Sequence, residues 1–175
     1  MKTNVALIGF MGSGKTTVGK ILAEKLNKQF VEIDSLIEQK AGKSIPQIFA
    51  QDSEIAFRQL EIETTKEVAG SKNHVIACGG GIVLNKINID RLKDKAVIVY
   101  LTASPAAILK RTAADKNKRP LLKNNKAVTI DELLKFRKPF YERMADIRIN
   151  TSGLDLNSAA DKIITRLKED ESFHH

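Results

Sequence analysis

The chain has 175 residues, a formal net charge of +8 and one cysteine, Cys78. This length corresponds to one domain that can bury a core without disulfides or a structural metal, and a lone cysteine fits a reducing, cytoplasmic compartment. No run approaches the roughly 18 apolar residues of a membrane span, and the N-terminus lacks the apolar segment of a signal peptide, so neither a membrane protein nor a secreted one is expected.

Short apolar runs alternate with longer amphipathic segments along the chain, a pattern typical of strand and helix units around a parallel sheet. Strands are predicted at 5–8, 30–33, 75–77, 96–101 and 147–149. Helices are predicted at 15–26, from 44 to about 50, at 54–69, from 105, from a capping box at 129 to about 145, and at roughly 156–167. Without an internal repeat or a linker, residues 1–175 are predicted to form a single domain.

A glycine-rich loop, GFMGSGKT at 9–16, follows the first predicted strand. It matches the phosphate-binding pattern G-x-x-x-x-G-K-[ST], whose glycines bring backbone N–H groups against phosphate oxygens. Lys15 suits the β and γ phosphates, and the hydroxyl of Thr16 suits Mg²⁺. Because a strand precedes the loop and an amphipathic helix follows it, nucleotide binding is favoured over a glycine turn that binds nothing.

Two carboxylates surround the end of the second predicted strand, in FVEIDSLIE. Asp34 lies at the strand's carboxyl end, on the edge where open parallel sheets bind ligands. Aspartate is also a preferred N-cap, so Asp34 could simply cap the helix that begins there. Glu32, two residues earlier, points to the same side of the strand and could reach a metal through water.

Arg58 and Glu61 lie three residues apart on one face of the helix predicted at 54–69. This stretch alone favours a surface ion pair worth a few tenths of a kcal/mol. The alternative is that Arg58 binds a substrate and that Glu61 orients its guanidinium.

The third predicted strand breaks into Gly79, Gly80 and Gly81. Successive glycines lower stability through chain entropy, so they indicate a tight bend or a close approach of the backbone to a ligand. Cys78, beside them, is predicted to be a small buried residue without chemistry of its own.

The segment 113–127 is polar and without hydrophobic periodicity, and between 110 and 126 seven basic residues accompany one acid, Asp115. A solvated surface loop is one interpretation. A lid over phosphates is favoured, because a phosphate-binding loop is present and long loops in compact domains are often lids. Arg119 lies in this segment, and Arg137 lies near the last predicted strand.

Together these motifs resemble those of the shikimate kinase family. The resemblance rests on GFMGSGKTTVGK, VEIDSLIE, FRQLE, IACGGGIV, RPLL and RKPFYERMADIRI, in this order over nearly the whole chain. It implies a P-loop, nucleoside-monophosphate-kinase-like α/β fold, with three α/β/α layers around a five-stranded parallel sheet of order 2-3-1-4-5. A substrate-binding region at 34–61 and a lid at 113–127 are also implied. The implied reaction transfers the γ-phosphoryl group of ATP to the 3-hydroxyl of shikimate, a step in chorismate and aromatic amino acid biosynthesis.

The resemblance also implies which residues hold each ligand. ATP would be held by Gly12, Ser13, Gly14, Lys15, Thr16, Thr17, Arg111, which would pack on adenine, and Arg119. Shikimate would be held by Asp34, Arg58, Gly79, Gly80, Gly81 and Arg137. Mg²⁺ would be held by Thr16 and Glu32, although the family usually has aspartate at the second position; activity is expected to survive the exchange. Lys15, Asp34 and Arg119 would be catalytic, with Asp34 chiefly orienting the hydroxyl.

Other functions fit parts of the sequence. A kinase of the same fold could phosphorylate gluconate, adenylate or another small acceptor, but Asp34, Arg58 and Arg137 favour a compact monocarboxylate over a nucleotide. A nucleic-acid-binding NTPase would use the positive charge, yet aromatic residues are only 5% of the chain and offer few surfaces for stacking bases. A scaffold without catalysis would not need Lys15. A monomer that binds shikimate, and neither nucleic acid nor a membrane, is therefore predicted.

Overall fold

Five parallel strands form the central sheet of the computed structural model, which describes residues 1–113 and 126–174 and, for residues 126–129, the backbone alone. The strands are β1 (Asn4–Ile8), β2 (Gln29–Glu32), β3 (His74–Ala77), β4 (Ala96–Thr102) and β5 (Ile147–Asn150). They are hydrogen-bonded in the order β2-β3-β1-β4-β5, and each neighbouring pair is parallel. The predicted strand order is confirmed.

Helices connect the strands and cover both faces of the sheet. In the described residues they are α1 (Lys15–Lys25), α2 (Ile33–Ala41), α3 (Ile45–Gln51), α4 (Glu54–Gly70), α5 (Lys86–Lys93), α6 (Pro105–Ala113), α7 (Lys126–Met144) and α8 (Leu156–Lys168), with a 3₁₀ turn at Ile82–Leu84. Ser44 and Gln47 form the predicted capping box at the start of α3, where Pro46 occupies the first turn. None of these helices is both long enough and apolar enough to cross a membrane.

Two boundaries overturn sequence-based expectations, and one helix was not predicted. β2 ends at Glu32 and α2 begins at Ile33, so Asp34 lies inside the first turn of the helix and does not cap it. α7 begins at Lys126, three residues before the capping box expected at 129, and that box is therefore wrong. α5 was not predicted, although Asn85 provides a local signal, since its side chain caps the helix by accepting from the N–H of Ile87 at 3.3 Å.

The lid expected at 113–127 is only partly covered by the description. Ala113 ends α6, and residues 126–127 open α7. Residues 114–125, which include Arg119, lie outside the described residues. The lid therefore stays a prediction.

The side chains of β1 alternate between the two faces of the sheet and contribute to a core layer on each face. Val5 and Leu7 lie in a buried cluster with apolar residues of α1 and α8. Ala6 and Ile8 face the opposite side and lie in a second cluster with residues of α2, α4, α5 and α7. Because successive side chains of a strand point to opposite faces, a sheet whose two faces are both apolar must be covered on both sides. The predicted three-layer architecture is confirmed.

The strand order also determines where the loops meet. β3 lies between β2 and β1, so the loops that follow these three strands emerge side by side at the carboxyl edge of the sheet. The segments that follow these strands are the first turn of α2 with Asp34, the glycine run Gly79–Gly81 and the phosphate-binding loop.

Gly19 offers a test of the packing between α1 and the sheet. The Cβ of an alanine at this position would lie 2.7 Å from Cε2 of Phe30 and 3.2 Å from Cδ1 of Leu7. Overpacking of this kind should make the free energy of unfolding of Gly19→Ala about 1–3 kcal/mol smaller, despite the better helix propensity of alanine. The measurement is urea unfolding.

Gly70→Ala is the matched control, because nothing lies within 4 Å of the added Cβ at the end of α4. Its stability should be unchanged or up to about 1 kcal/mol greater. The packing described for Gly19 is wrong if both variants unfold at the same urea concentration.

Candidate active site

A cleft of about 500 Å³ lies at the carboxyl edge of the sheet. Most of the site residues expected from the sequence line this cleft: Gly12, Gly14, Lys15, Thr16, Thr17, Glu32, Asp34, Arg58, Gly79, Gly80, Gly81 and Arg137. Ser13 and Arg111 are not in the lining, and Arg119 is outside the described residues. All of the expected substrate-binding residues and most of the expected nucleotide-binding residues therefore line one cavity.

The phosphate-binding loop joins β1 to α1. Gly12 and Gly14 have φ values of 75° and 97°, a left-handed conformation that glycine adopts without strain. The loop curves around the side chain of Lys15, whose Nζ donates to the carbonyls of Gly9 at 2.9 Å and Phe10 at 3.0 Å. An ammonium group beside the N-terminus of α1 gives this end of the cleft a positive potential suited to phosphate.

Residues behind the loop hold its backbone in place. The hydroxyl of Thr151, which follows β5, donates to the Ser13 carbonyl at 3.1 Å. Arg111 donates to the Gly12 carbonyl at 3.1 Å and to the Thr151 carbonyl at 2.8 Å. Sequence reasoning missed Thr151, and no local pattern marks it, because its partners lie 138 and 40 residues away.

Thr16 and Glu32 lie together beside the loop. The hydroxyl of Thr16 donates to Oε1 of Glu32, and the hydroxyl of Ser35 donates to Oε2 at 3.0 Å. Hydroxyl and carboxylate oxygens are the ligands that Mg²⁺ prefers, and Mg²⁺ commonly uses one or two protein groups together with substrate phosphates. Among the residues described, no three His, Cys, Asp or Glu side chains gather as a protein-only metal cage. The donor set thus fits a magnesium ion that is bound together with a phosphate chain.

Asp34 reaches the centre of the cleft from the first turn of α2. Its Oδ1 is buried and has no hydrogen-bond partner among the described residues. Burial raises the pKa of this carboxyl group, and the nearby Lys15 ammonium opposes the shift without cancelling it. A buried oxygen without a partner at the wall of a cleft indicates a position where a ligand donates a hydrogen bond.

Arg58 is held by carboxylates on its own helix, α4. Its Nη1 donates to the two oxygens of Glu61 at 3.3 and 3.0 Å, and its Nη2 donates to Glu54 at 3.2 Å. Glu61 is only 1% exposed, so the interpretation of this pair as a surface ion pair is wrong. Burial raises the pKa of Glu61, while the charge of Arg58 opposes that shift. The pair instead fixes the direction of the Arg58 guanidinium at the cleft wall.

Arg137 approaches the cleft from α7 and is 4% exposed. Its guanidinium carbon lies 5.8 Å from the centre of the Phe10 ring. Its Nε is buried and makes no hydrogen bond within the part of the chain that the structure describes. A buried cation of this kind is costly unless an anion pairs with it, which makes this wall suitable for a carboxylate.

The glycine run explains how these side chains come so close together. A Cβ on the first glycine would lie 2.7 Å from Oδ1 of Asp34, and a Cβ on the last would lie 2.7 Å from both terminal nitrogens of Arg58. A Cβ on the middle glycine would lie 3.6 Å from Nη1 of Arg137. Each glycine of Gly79–Gly81 therefore faces one of the three charged side chains that were predicted to hold the substrate.

An apolar wall completes the cleft, and sequence reasoning missed it. It is formed by Met11, Ile45, Pro46, Phe49 and Phe57. A capping box with proline in the first turn predicted the helix α3, but such a signal does not tell whether the apolar residues of the helix line a cleft or a core. A cavity with one apolar wall and two guanidinium groups suits a compact ligand that carries one carboxylate.

Comparison with known proteins agrees with this geometry. The family model described as shikimate kinase matches residues 11–168. The chain is 42% identical to the shikimate kinase of Pelotomaculum thermopropionicum over 166 residues, which cover 95% of this chain and 96% of the relative. It is 46% identical to the shikimate kinase of Thermodesulfovibrio yellowstonii over 162 residues, which cover 92% of each chain.

Two solved structures are similar in fold and in sequence. The shikimate kinase from Acinetobacter baumannii in complex with shikimate superposes with a TM-score of 0.93 at 38% identity and covers 98% of this chain and 96% of its own. The shikimate kinase from Aquifex aeolicus gives a TM-score of 0.80 at 32% identity and covers 95% of this chain and 96% of its own.

The buried carboxyl of Asp34 yields a prediction about pH dependence. Because its pKa is raised in the folded chain, the folded state holds the proton more tightly than the unfolded state does. Stability is then lost as the pH rises from the ordinary aspartate range, about 3.9, through the folded-state pKa. Asp34→Asn should unfold at a higher urea concentration than the unchanged chain near neutral pH, and this gap should shrink as the pH falls.

Asp90→Asn is the control, since it removes an exposed carboxylate from α5. It should change the free energy of unfolding by less than about 0.5 kcal/mol at each pH. A stability gap for Asp34→Asn that does not vary with pH would contradict the buried-charge assignment.

Proposed function

The chain belongs to the shikimate kinase family, and on this basis we propose that its cleft transfers the γ-phosphoryl group of ATP to the 3-hydroxyl of shikimate, on the route to chorismate and aromatic amino acids. One observation carries the assignment of the site: the phosphate-binding loop and the glycine run Gly79–Gly81, with Asp34, Arg58 and Arg137 against it, line the same cavity. Phosphoryl transfer depends mainly on positioning and charge neutralisation, and such an arrangement provides both.

Asp34, Arg58, Arg137 and Gly79–Gly81 line one half of the cleft, which we call the acid half because it binds the acid substrate, shikimate. Arg58 and Arg137 pair with its carboxylate, since guanidinium groups match carboxylate oxygens in a bidentate geometry. Asp34 accepts hydrogen bonds from the ring hydroxyls through the buried oxygen that lacks a protein partner. The backbone of Gly79–Gly81 and the apolar wall contact the carbon ring.

The other half of the cleft binds ATP. Residues 12–17 hold the β and γ phosphates through backbone N–H groups, the Lys15 ammonium and the hydroxyls of Thr16 and Thr17. Arg111 packs on the adenine, and Arg119 closes from the predicted lid at 113–127 onto the transferring group. Thr16 and Glu32, which share a hydrogen bond, would hold Mg²⁺, and the bound ion would neutralise charge on the phosphates.

In the chemical step, the 3-hydroxyl oxygen forms a bond to the γ-phosphorus and gives up its proton to Asp34, while the bond from that phosphorus to the bridging oxygen breaks and ADP leaves. Asp34 chiefly orients the hydroxyl. Its raised pKa also makes it a stronger acceptor for the hydroxyl proton than an ordinary aspartate. Lys15 and Arg119 share the negative charge on the transferring group. Closure of the lid would exclude water and so limit the hydrolysis of ATP.

We further propose that the enzyme works as a cytoplasmic monomer without nucleic acid. One chain supplies both halves of the described cleft, which supports activity without a second copy. A free cysteine buried at position 78 is compatible with a reducing compartment, and burial raises the pKa of its thiol, which makes it a poor nucleophile.

Release of ADP from ATP and Mg²⁺, measured with shikimate, gluconate, nucleoside monophosphates or single-stranded nucleic acid in parallel, tests this function. Shikimate should support rapid release, and the other compounds should not. Faster release with gluconate or adenylate would assign another kinase of the same fold, and release that depends on nucleic acid would contradict the whole proposal.

Loss of one guanidinium should mainly weaken the binding of shikimate. A hydrogen bond to a charged group contributes about 1.5–3 kcal/mol, so the Kd of Arg58→Ala for shikimate should rise by roughly 10- to 100-fold, while the Kd for ATP stays within about twofold. Isothermal titration measures both constants. Arg166→Ala removes an exposed arginine of α8 and should leave both constants unchanged. An unaltered shikimate Kd in Arg58→Ala would remove this residue from the site.

Lys15→Met should lose turnover while the protein remains folded. Removal of one group that stabilises transition-state charge typically lowers kcat by about 10²–10³-fold. Steady-state kinetics give kcat, and circular dichroism shows whether the fold is kept. Lys162→Met, at an exposed position of α8, controls for the loss of a lysine. Near-normal turnover in Lys15→Met would exclude the proposed role.

A further inference from the structure

Tyr141 is a buried residue of α7 that has no role in the function proposed above. It is fully buried, and its ring stacks on that of Tyr100 in β4, with the ring centres 4.9 Å apart and the planes at 22°. A phenol placed this deeply keeps its hydroxyl only where that hydroxyl has partners, because an unpaired polar group in the interior is costly. The partners of the hydroxyl therefore indicate what the residue does.

Both partners belong to the acid half of the cleft. The Tyr141 hydroxyl donates to the carbonyl oxygen of Gly80, the middle residue of the glycine run. The guanidinium of Arg137, one helical turn earlier on α7, lies close enough to the same hydroxyl to oppose the rise of its pKa. Because a phenol hydroxyl has one proton to donate and lone pairs to accept, it can donate to Gly80 and still accept from Arg137.

This hydroxyl connects two elements that no local interaction joins. Gly80 follows β3 and Arg137 lies on α7, 57 positions further along the chain. Nη1 of Arg137 would lie 3.6 Å from a Cβ on Gly80, so guanidinium and glycine are in near contact at this point. Burial raises the pKa of Tyr141, and the hydroxyl thus stays protonated and able to donate at neutral pH.

Arg137 has particular need of such a support. Arg58 is oriented by two carboxylates on its own helix, and no ion pair to Arg137 occurs among the described residues. Its guanidinium lies over the face of the Phe10 ring, and its charge acts on the Tyr141 hydroxyl. The charge of Arg137 also acts on the nearby Glu61 carboxylate. A neutral phenol orients the guanidinium without adding another negative charge beside it.

We propose that Tyr141 is a positioning residue for the acid substrate: its hydroxyl fixes Arg137 against the Gly80 turn so that the guanidinium meets the substrate carboxylate in one geometry. This inference rests on the proposed function, because it assumes that the carboxylate belongs to shikimate. It adds a residue that does not touch the substrate and acts through two groups that do.

The test compares Tyr141→Phe with Tyr100→Phe. Each substitution removes one hydroxyl from the same stacked pair and keeps both rings, but only the first removes the link between Gly80 and Arg137. In steady-state kinetics, Tyr141→Phe should raise the KM for shikimate by roughly tenfold, equivalent to about 1.4 kcal/mol, while the KM for ATP and kcat stay within about twofold. Tyr100→Phe should leave all three constants within about twofold.

A second substrate shows whether the effect passes through the carboxylate. In an analogue of shikimate whose carboxylate is replaced by a hydroxymethyl group, the guanidinium has no anion to pair with. The tenfold difference in KM between Tyr141→Phe and the unchanged chain should then disappear. A purely structural role of the hydroxyl would weaken both substrates alike.

Fluorine NMR gives a readout that does not depend on a variant of Tyr141. The chain has two tyrosines, so incorporation of 3-fluorotyrosine gives two sites, and Tyr100→Phe assigns them. Saturating shikimate should shift the Tyr141 resonance more than that of Tyr100, and the hydroxymethyl analogue should shift it less than shikimate does.

The outcomes separate this inference from the proposed function. If the unchanged chain does not phosphorylate shikimate, the proposed function itself fails. If it does, the positioning role of Tyr141 is wrong when Tyr141→Phe behaves like Tyr100→Phe, when the KM for ATP rises equally, when the analogue shows the same tenfold change, or when shikimate leaves the fluorine resonance of Tyr141 in place.

Discussion

The close approach of three charged side chains to one glycine run is the contact on which the acid half of the cleft depends. Asp34, Arg58 and Arg137 come from three different helices, and each faces a different residue of Gly79–Gly81. A Cβ on the first or last glycine would meet a side-chain atom at 2.7 Å, a separation that real Cβ contacts do not reach. The absence of a side chain at Gly79 and Gly81 therefore gives Asp34 and Arg58 the room to come this close, at a cost in backbone entropy.

The strand order gives this contact its functional value. Because β3 lies between β2 and β1, the glycine run is next to Asp34 on one side and to the phosphate-binding loop on the other. Under the proposed function, an acceptor bound at the glycine run would lie next to the phosphates of a nucleotide bound at Lys15. Positioning of this kind is the main contribution that a protein makes to phosphoryl transfer, since the transition state is loose and needs little covalent assistance.

The cleft also concentrates groups that do not favour folding. Asp34 and Glu61 have pKa values that burial raises, and Arg137 and Asp34 keep buried atoms without hydrogen-bond partners in the described part of the chain. The two core clusters are mainly apolar by comparison. Buried charge and polar atoms without partners are common at functional sites, where ligand binding supplies the missing partners. The neutral hydroxyl of Tyr141 donates to the Gly80 carbonyl in this region and adds no charge to it.

The sequence by itself determined the alternation of strands and helices, the phosphate-binding loop with Lys15, and the identity of most residues that line the cleft, because periodicity, turns and short motifs are local and are written in consecutive positions. Only the tertiary structure decided that Glu61 is buried, that an apolar wall completes the cavity and that α7 begins at Lys126. It alone also showed that Thr151 supports the phosphate-binding loop and that Tyr141 supports the glycine run. Apart from the start of α7, each of these depends on contacts between elements that are far apart in the chain. The burial and the partners of a side chain depend on several elements that pack around it in the folded chain, and a local sequence pattern does not contain this information.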